Sequence, residues 1–204
     1  MIIGLTGPMA SGKNLACKLL EKAGCVSVDA DVLAHEAIEK SKDEILRTFE
    51  QEANSKQIQL LKEDGNINRR ELAKIVFASK ENLKKQESII HPMVNSMMED
   101  FIKNNADKIV ILNATVLYKT PIIKKCDGII FITSPWFVRF FRAKKRDNMK
   151  NMQIFKRFFA QFNIFAKYKI LNTDIYKVRN FGSEQKLEQR LLYVLKKIYS
   201  EKGL

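Results

Sequence analysis

The residues best suited to chemistry lie near the start of the sequence. An apolar run at 2–5 leads into Gly7-Pro8-Met9-Ala10-Ser11-Gly12-Lys13, which has the spacing GxxxxGK and precedes a helical pattern. In such a loop the backbone N–H groups converge on an anion, the following helix adds the positive end of its dipole, and the lysine adds a mobile charge. The sequence therefore predicts a phosphate-binding loop (P-loop) for a nucleoside triphosphate. The residues expected to contact the phosphates are Gly7, Ala10, Ser11, Gly12, Lys13, Asn14 and Leu15.

The residue after the lysine departs from the usual P-loop pattern. That pattern has Ser or Thr there, because the hydroxyl is a Mg²⁺ ligand, whereas this sequence has Asn14. An amide oxygen can also ligate Mg²⁺, so we interpret Asn14 as the metal ligand. Pro8 has no N–H group, so the loop has one possible phosphate donor fewer.

An acidic pair, Asp29 and Asp31, follows the second apolar run. Ligands of open parallel sheets bind beyond the carboxyl ends of the strands. A carboxylate there can accept the proton of a hydroxyl nucleophile or orient Mg²⁺. The alternative is that Asp31 caps a helix beginning at Val32, and the local residues are compatible with both.

Short apolar runs alternate with longer helical patterns, which is typical of βαβ units and a mostly parallel sheet. The predicted strands are the compact apolar runs at 2–5, 25–28, 109–112, 129–133 and 168–171. The predicted helices cover 13–22, 32–39, 42–52, 69–78, 81–104 and 122–125, and a last helix carries Leu187, Leu191, Leu195 and Ile198 on one face behind the cap Ser183. We expect an α/β P-loop nucleoside-triphosphate hydrolase fold, with a five-stranded parallel sheet flanked by helices.

Positive charge is concentrated in the last third of the sequence. The formal net charge is +13, and residues 135–204 hold 17 basic and 5 acidic residues. This excess indicates a polyanionic partner, and its sign is compatible with a nucleotide, a nucleic acid or a lipid surface.

The cysteines and the hydropathy pattern narrow the class of protein. Cys17, Cys25 and Cys126 lack metal-ligand spacing, so we interpret them as buried apolar residues and expect no zinc site. No apolar run approaches the roughly 20 residues of a membrane-spanning helix, and the first residues do not form a signal-peptide pattern. We therefore expect a cytoplasmic protein.

The segment 136–168 mixes ten aromatic residues with basic ones. The hypothesis we favour is a lid of helices, in which the phenylalanines pack inward and the arginines face the nucleotide. Two alternatives are a nucleic-acid surface, on which aromatic rings would stack with bases, and an interfacial helix on anionic lipid.

Together these residues resemble the dephospho-coenzyme A kinase family, which phosphorylates the ribose 3′-hydroxyl of dephospho-CoA with ATP. The similarity covers most of the chain in collinear order. It rests on Gly4-Leu5-Thr6-Gly7 with Ser11-Gly12-Lys13, on Asp29-Ala30-Asp31, on Asn68-Arg69-Arg70-Glu71-Leu72, on Ile89-Ile90-His91-Pro92, on Arg142 with Arg146-Asp147, and on Gln161 and Ile170-Leu171-Asn172.

This resemblance implies roles for individual residues. Asp31 would activate the ribose hydroxyl, and Lys13 with the loop would hold the phosphates of ATP. Arg142 and Arg146 would stabilise the charge of the transferring phosphoryl group. The resemblance also implies Mg²⁺, a small-molecule acceptor as partner, acceptor contacts at Asp29, Arg69, Arg70 and His91, and a contact near the nucleotide base at Asn172.

We expect one domain over residues 1–204. It would have a core of 1–31, 105–135 and 168–204, acceptor-binding helices at 32–104, and a shortened lid at 136–167. The sequence differs from the family pattern at Pro8, Ala10, Asn14-Leu15 and Lys119. These differences leave a second hypothesis, a catalytically weak relative that binds nucleotide, or RNA through its basic last third, in a regulatory role.

Overall fold

The computed structural model describes residues 1–147, 150–170 and 173–203. It consists of two compact units. The first unit contains Met1–Asp29 and Asp100–Leu204, and the second contains Ala30–Glu99.

The first unit is built on a parallel sheet, which has five strands among the described residues. These strands are β1 (Ile2–Thr6), β2 (Val26–Asp29), β3 (Val110–Asn113), β4 (Gly128–Thr133) and β5 (Ile175–Arg179), in the order β2-β3-β1-β4-β5. The central strands β1 and β3 are almost continuously buried, as expected for strands covered on both faces. Asn113 is in register with Leu5 on one side and Asp29 on the other, so polar residues meet at the carboxyl edge of the sheet.

Five α-helices of the described chain complete the first unit: α1 (Lys13–Lys22), α6 (Trp136–Asp147), α7 (Asn151–Ala160), α8 (Ile164–Lys169) and α9 (Glu184–Glu201). Buried residues of α1 and α9 pack with Ile3 and Leu5 in one apolar cluster. The hydroxyl of Ser183 accepts a hydrogen bond from Lys186 N, which confirms the predicted cap of the last helix.

The second unit is helical. It contains α2 (Ala30–Lys40), α3 (Lys42–Ser55), α4 (Arg69–Val76) and the start of α5 (Lys80–Lys103). Asn68 caps α4, since its side chain accepts a hydrogen bond from Glu71 N. Comparison of the helix bounds confirms most of the predicted helices, with shifts of a few residues. The predicted helix at 122–125 is instead part of a 3₁₀ helix, Pro121–Lys125.

The prediction of the fifth strand at 168–171 is wrong. Tyr168 lies near the end of α8, and the strand is Ile175–Arg179. A short apolar run fits a buried helical turn as well as a strand, and Tyr168 is fully buried against Phe131. The true strand lies at the edge of the sheet, and its exposed Lys177 interrupts the apolar run that a central strand would show.

The cysteines are buried and free. Burial raises the pKa of the Cys17 and Cys126 thiols to about 12, so neither is a thiolate at neutral pH. The described part of the chain contains no cluster of three His, Cys, Asp or Glu side chains able to hold a metal ion. Within the same part, no helix combines the length and apolar character needed to span a bilayer.

Candidate functional site

The loop between β1 and α1 needs glycine at both ends. A Cβ on Gly7 would lie well inside 3.0 Å of the backbone oxygen of Ile132, and a Cβ on Gly12 would collide with the side-chain amide of Asn180. Gly12 also has φ 97°, in the left-handed region that favours glycine. The two glycines of the GxxxxGK pattern are thus fixed by close approach of neighbouring groups.

Two amides in the middle of the loop are already engaged. Ser11 N donates to Pro8 O at 3.1 Å, and Met9 N donates to the side-chain oxygen of Gln161 at 2.6 Å. The first N–H groups of an α-helix have no intrahelical acceptor, and Gly12 has no side chain to cap α1. Anion donors are therefore concentrated at the start of α1, where the helix dipole is positive.

Asn180, at the end of β5, holds the second half of the loop. Its side-chain amide donates to Ser11 O at 2.7 Å and is 3% exposed. Arg142 Nη1 lies 3.5 Å from the same oxygen and 3.5 Å from Ser134 Oγ. The C=O and N–H groups of a trans peptide point in opposite directions, so fixing Ser11 O also fixes the direction of the Gly12 N–H.

Asn180 and Arg142 belong to the lining of a pocket of about 600 Å³. Its lining combines the loop and α1 with cations of α6 and the amide of β5: Ala10, Gly12, Lys13, Asn14, Leu15, Arg142, Lys145, Arg146 and Asn180. Lys13 Nζ donates to Gly7 O at 3.1 Å, so its ammonium lies over the loop. The structure thereby brings five of the seven predicted phosphate-contact residues, all but Gly7 and Ser11, into one pocket with Arg142 and Arg146.

Sequence reasoning missed Asn180. The sequence signal for this residue is an asparagine that is followed by Phe181-Gly182 and comes directly after the last strand. The signal was missed because the last strand was predicted too early in the chain. The predicted nucleotide contact Asn172 lies outside the residues that the structure describes.

A second cluster of polar side chains lies at the carboxyl edge of the sheet. The side-chain amide of Asn113 donates to Asp29 Oδ2 at 2.7 Å and lies 3.5 Å from Asn14 Oδ1. Asn113 Oδ1 is buried without a hydrogen-bond partner among the described residues. Mg²⁺ prefers oxygen ligands, usually one or two carboxylates with waters and substrate phosphates. A carboxylate and an amide oxygen beside the phosphate loop fit such an ion.

The remaining predicted site residues belong to the second unit. Asp31 is exposed in the first turn of α2, Arg69 and Arg70 are exposed at the start of α4, and His91 is half-buried in α5. Because α2 begins at Ala30, Asp31 lies inside the helix, and the alternative that it caps a helix starting at Val32 is wrong.

Hydrogen bonds join the segment that contains α6–α8 to the start of the loop and to the residues after β3. Arg139 Nε donates to Met9 O at 2.9 Å, so the backbone of Met9 is held by Arg139 on one side and by Gln161 on the other. Tyr168 of α8 donates to Thr115 O at 3.1 Å and accepts from Thr6 Oγ1 at 2.8 Å. Burial raises the pKa of Tyr168 to about 12, so the hydroxyl keeps its proton.

Comparisons with known proteins identify the family and the fold. The sequence model of the dephospho-CoA kinase family matches residues 1–180. A protein named dephospho-CoA kinase from Treponema denticola is 38% identical over 201 residues, which are 97% of this chain and 90% of that protein. A crystal structure of a Thermus thermophilus protein is 28% identical with a TM-score of 0.80 and covers 97% of both chains. The dephospho-CoA kinase structure from Campylobacter jejuni, 23% identical over 97% of this chain and 96% of that one, has the same fold with a TM-score of 0.64.

Proposed function

The chain belongs to the dephospho-CoA kinase family, and we propose that it transfers the γ-phosphoryl group of ATP to the ribose 3′-hydroxyl of dephospho-CoA. This reaction is the final step of coenzyme A synthesis. The observation that carries the proposal is the phosphate loop, whose pocket joins the start of α1 and Lys13 to the cations of α6. The comparisons give no support to a regulatory, catalytically weak relative.

On the donor side, the start of α1 binds the α- and β-phosphates, and Lys13 reaches the β- and γ-phosphates. Arg142 and Arg146 line the same pocket. In the transition state of phosphoryl transfer, negative charge is spread over the equatorial oxygens, and fixed cations stabilise it without reorganisation. We assign Lys13, Arg142 and Arg146 to this role.

Mg²⁺ is the expected metal; Asn14 would ligate it, and the Asp29 carboxylate would orient it through water. When bound, it neutralises charge on the β- and γ-phosphate oxygens. The support is the arrangement of Asp29, Asn113 and Asn14, in which the Asn113 amide orients both oxygen ligands.

On the acceptor side, Asp31 is the general base that takes the proton of the ribose hydroxyl. Its exposure in the first turn of α2, directly after β2 in the chain, supports this assignment. Arg69 and Arg70 are assigned to the acceptor because their exposed guanidinium groups at the start of α4 can bind its phosphates. His91 and Asp29 are assigned to the acceptor from the family resemblance alone.

The reaction is tested by measuring ADP release from purified protein with MgATP, in the presence and absence of dephospho-CoA. The proposal predicts release that depends on dephospho-CoA and saturates with it. ADP release at the same rate without the acceptor, or none with it, would contradict the proposed function.

A further inference from the structure

A second pocket of the first unit lies on the side of the loop that contains Pro8. It has a volume of about 490 Å³ and is bounded by β4 and by α6, α7 and α8. Among the described residues, seven of the eleven that line it are aromatic, and the polar exceptions are Arg139 and Gln161. An apolar pocket with few polar groups is typical of small-molecule sites.

The aromatic residues form a fixed floor and an open rim. On the floor, the rings of Phe131 and Phe165 meet edge to face with centroids 5.0 Å apart. On the rim, Trp136, Phe159 and Phe162 are 64%, 76% and 82% exposed. Packing among α6, α7 and α8 therefore leaves most of the apolar surface of these three side chains in water. A contiguous exposed apolar surface of this kind marks a binding site.

The polar groups of this pocket limit the ligand that it can hold. Arg139 is half-buried, donates to Met9 O, and places its guanidinium 4.3 Å from the centre of the Phe158 ring. The oxygen of Gln161 accepts from Met9 N, which leaves the donor end of its amide for a ligand edge. A flat ring that is apolar on its faces and accepts hydrogen bonds at its edge matches these groups, as a purine does.

We propose that this pocket binds the adenine ring of dephospho-CoA, an inference that rests on the proposed function. Lys13 is the residue that reaches the β- and γ-phosphates, and its ammonium donates to Gly7 O, so we place the γ end of the triphosphate toward the beginning of the loop. Pro8, at that beginning, lines the aromatic pocket. The acceptor hydroxyl and the adenine are on the same ribose, so a base bound here keeps the 3′-oxygen close to the transferred group.

The position of the two pockets also separates donor from acceptor. Arg142, Lys145 and Arg146 of α6 line the pocket at the start of α1, whereas Trp136 and Arg139 of the same helix line the aromatic pocket. One helix therefore borders both pockets, with the loop between them.

Trp136 provides a direct test, because it is the single tryptophan of the sequence. Its fluorescence is followed with the protein first saturated by a non-hydrolysable ATP analogue. Dephospho-CoA should then give saturable quenching, whereas 4′-phosphopantetheine, which lacks the adenine, should not. Equal responses to both compounds, or no response to dephospho-CoA at concentrations that saturate turnover with ATP, would overturn the proposal.

Kinetics of rim variants give an independent test. Replacing Phe159 and Phe162 by alanine should raise the KM for dephospho-CoA about tenfold and leave the KM for ATP unchanged, since both side chains are largely exposed and contribute little to folding. Tyr193→Ala is the matched control, because Tyr193 is 70% exposed on α9 away from this pocket.

The outcomes distinguish this inference from the proposed function. An unchanged KM for dephospho-CoA in the double variant would refute the adenine site while the kinase activity stands. A wild-type protein without acceptor-dependent activity would refute the function itself. Quenching of Trp136 by an oligonucleotide or by phosphatidylglycerol vesicles, but not by dephospho-CoA, would assign the aromatic pocket to a different ligand and overturn the inference.

Discussion

The side-chain amide of Asn180 donates a 2.7 Å hydrogen bond to the backbone carbonyl of Ser11. This bond joins the end of the last strand to the phosphate loop, although the two residues are far apart in the sequence. The contact is so close that Gly12 has no room for a Cβ atom beside Asn180. The direction of the Gly12 N–H, and with it the shape of the anion site, depends on a residue outside the GxxxxGK pattern.

Asn180→Ala should weaken ATP binding. The variant leaves Ser11 O without its buried donor, which costs roughly 1–3 kcal/mol, and it frees the Ser11–Gly12 peptide to rotate. We expect the dissociation constant of MgATP to rise roughly 5- to 150-fold, as measured by calorimetry, with the KM for dephospho-CoA nearly unchanged.

The matched control for Asn180→Ala is Asn105→Ala. Asn105 also donates its side-chain amide to a backbone carbonyl, that of Phe101, at 2.9 Å, but lies in the turn that follows α5. Equal losses of ATP affinity in both variants would mean that Asn180 acts through general stability.

Asp29→Asn should raise the Mg²⁺ concentration needed for half-maximal activity. The carboxylate accepts the Asn113 amide at 2.7 Å and would orient the metal through water, and an amide in its place provides less negative charge. We expect the midpoint of a Mg²⁺ titration at saturating ATP to rise about tenfold. Asp107→Asn, an exposed carboxylate elsewhere in the chain, should leave the titration curve unchanged, and the same midpoint in all three proteins would rule out a metal role.

Asp31→Asn should lower turnover by orders of magnitude while ATP affinity is nearly kept. The amide cannot accept the hydroxyl proton, but it preserves the size of the side chain. The control is Asp43→Asn, which changes an aspartate in the first turn of the neighbouring helix α3. Turnover close to wild type in Asp31→Asn would show that another group is the base.

The folded protein should lose stability above pH 9. Burial raises the pKa of the Cys17 and Cys126 thiols from 9.0 to about 12, so in this range the unfolded chain releases protons that the folded chain retains. The free energy of unfolding then falls as pH rises, by about 1.4 kcal/mol per pH unit for each thiol. The free energy of unfolding, measured with urea at a series of pH values, should fall less steeply with pH above pH 9 for Cys126→Ala than for wild type. Below pH 8 the two proteins should show the same slope of this free energy against pH.

The sequence predicted the parts of the site that are local in the chain. The loop and α1 follow directly from the GxxxxGK spacing, and α1 covers the predicted residues Lys13–Lys22. Asn180 and Asn113 could not be found in this way, because they reach the site through the strand order β2-β3-β1-β4-β5. Asn113 becomes a neighbour of Asp29 only through the register of β2 and β3.

The error at the fifth strand has a similar cause. Tyr168 packs against Phe131 and Tyr118 from a helix, whereas Ile170 of the same run is 83% exposed. The choice between helix and strand at the edge of a sheet is decided by tertiary contacts, which a short apolar run does not reveal.

The most direct test of the account is to identify the product formed from ATP and dephospho-CoA, by mass spectrometry and ³¹P NMR, with Lys13→Ala as the inactive reference. We predict one new phosphomonoester on the ribose 3′-oxygen, formed in step with ADP by the wild-type protein and at a rate lower by orders of magnitude in the variant. A phosphoryl group at another position, or product formation that does not depend on Lys13, would contradict the account.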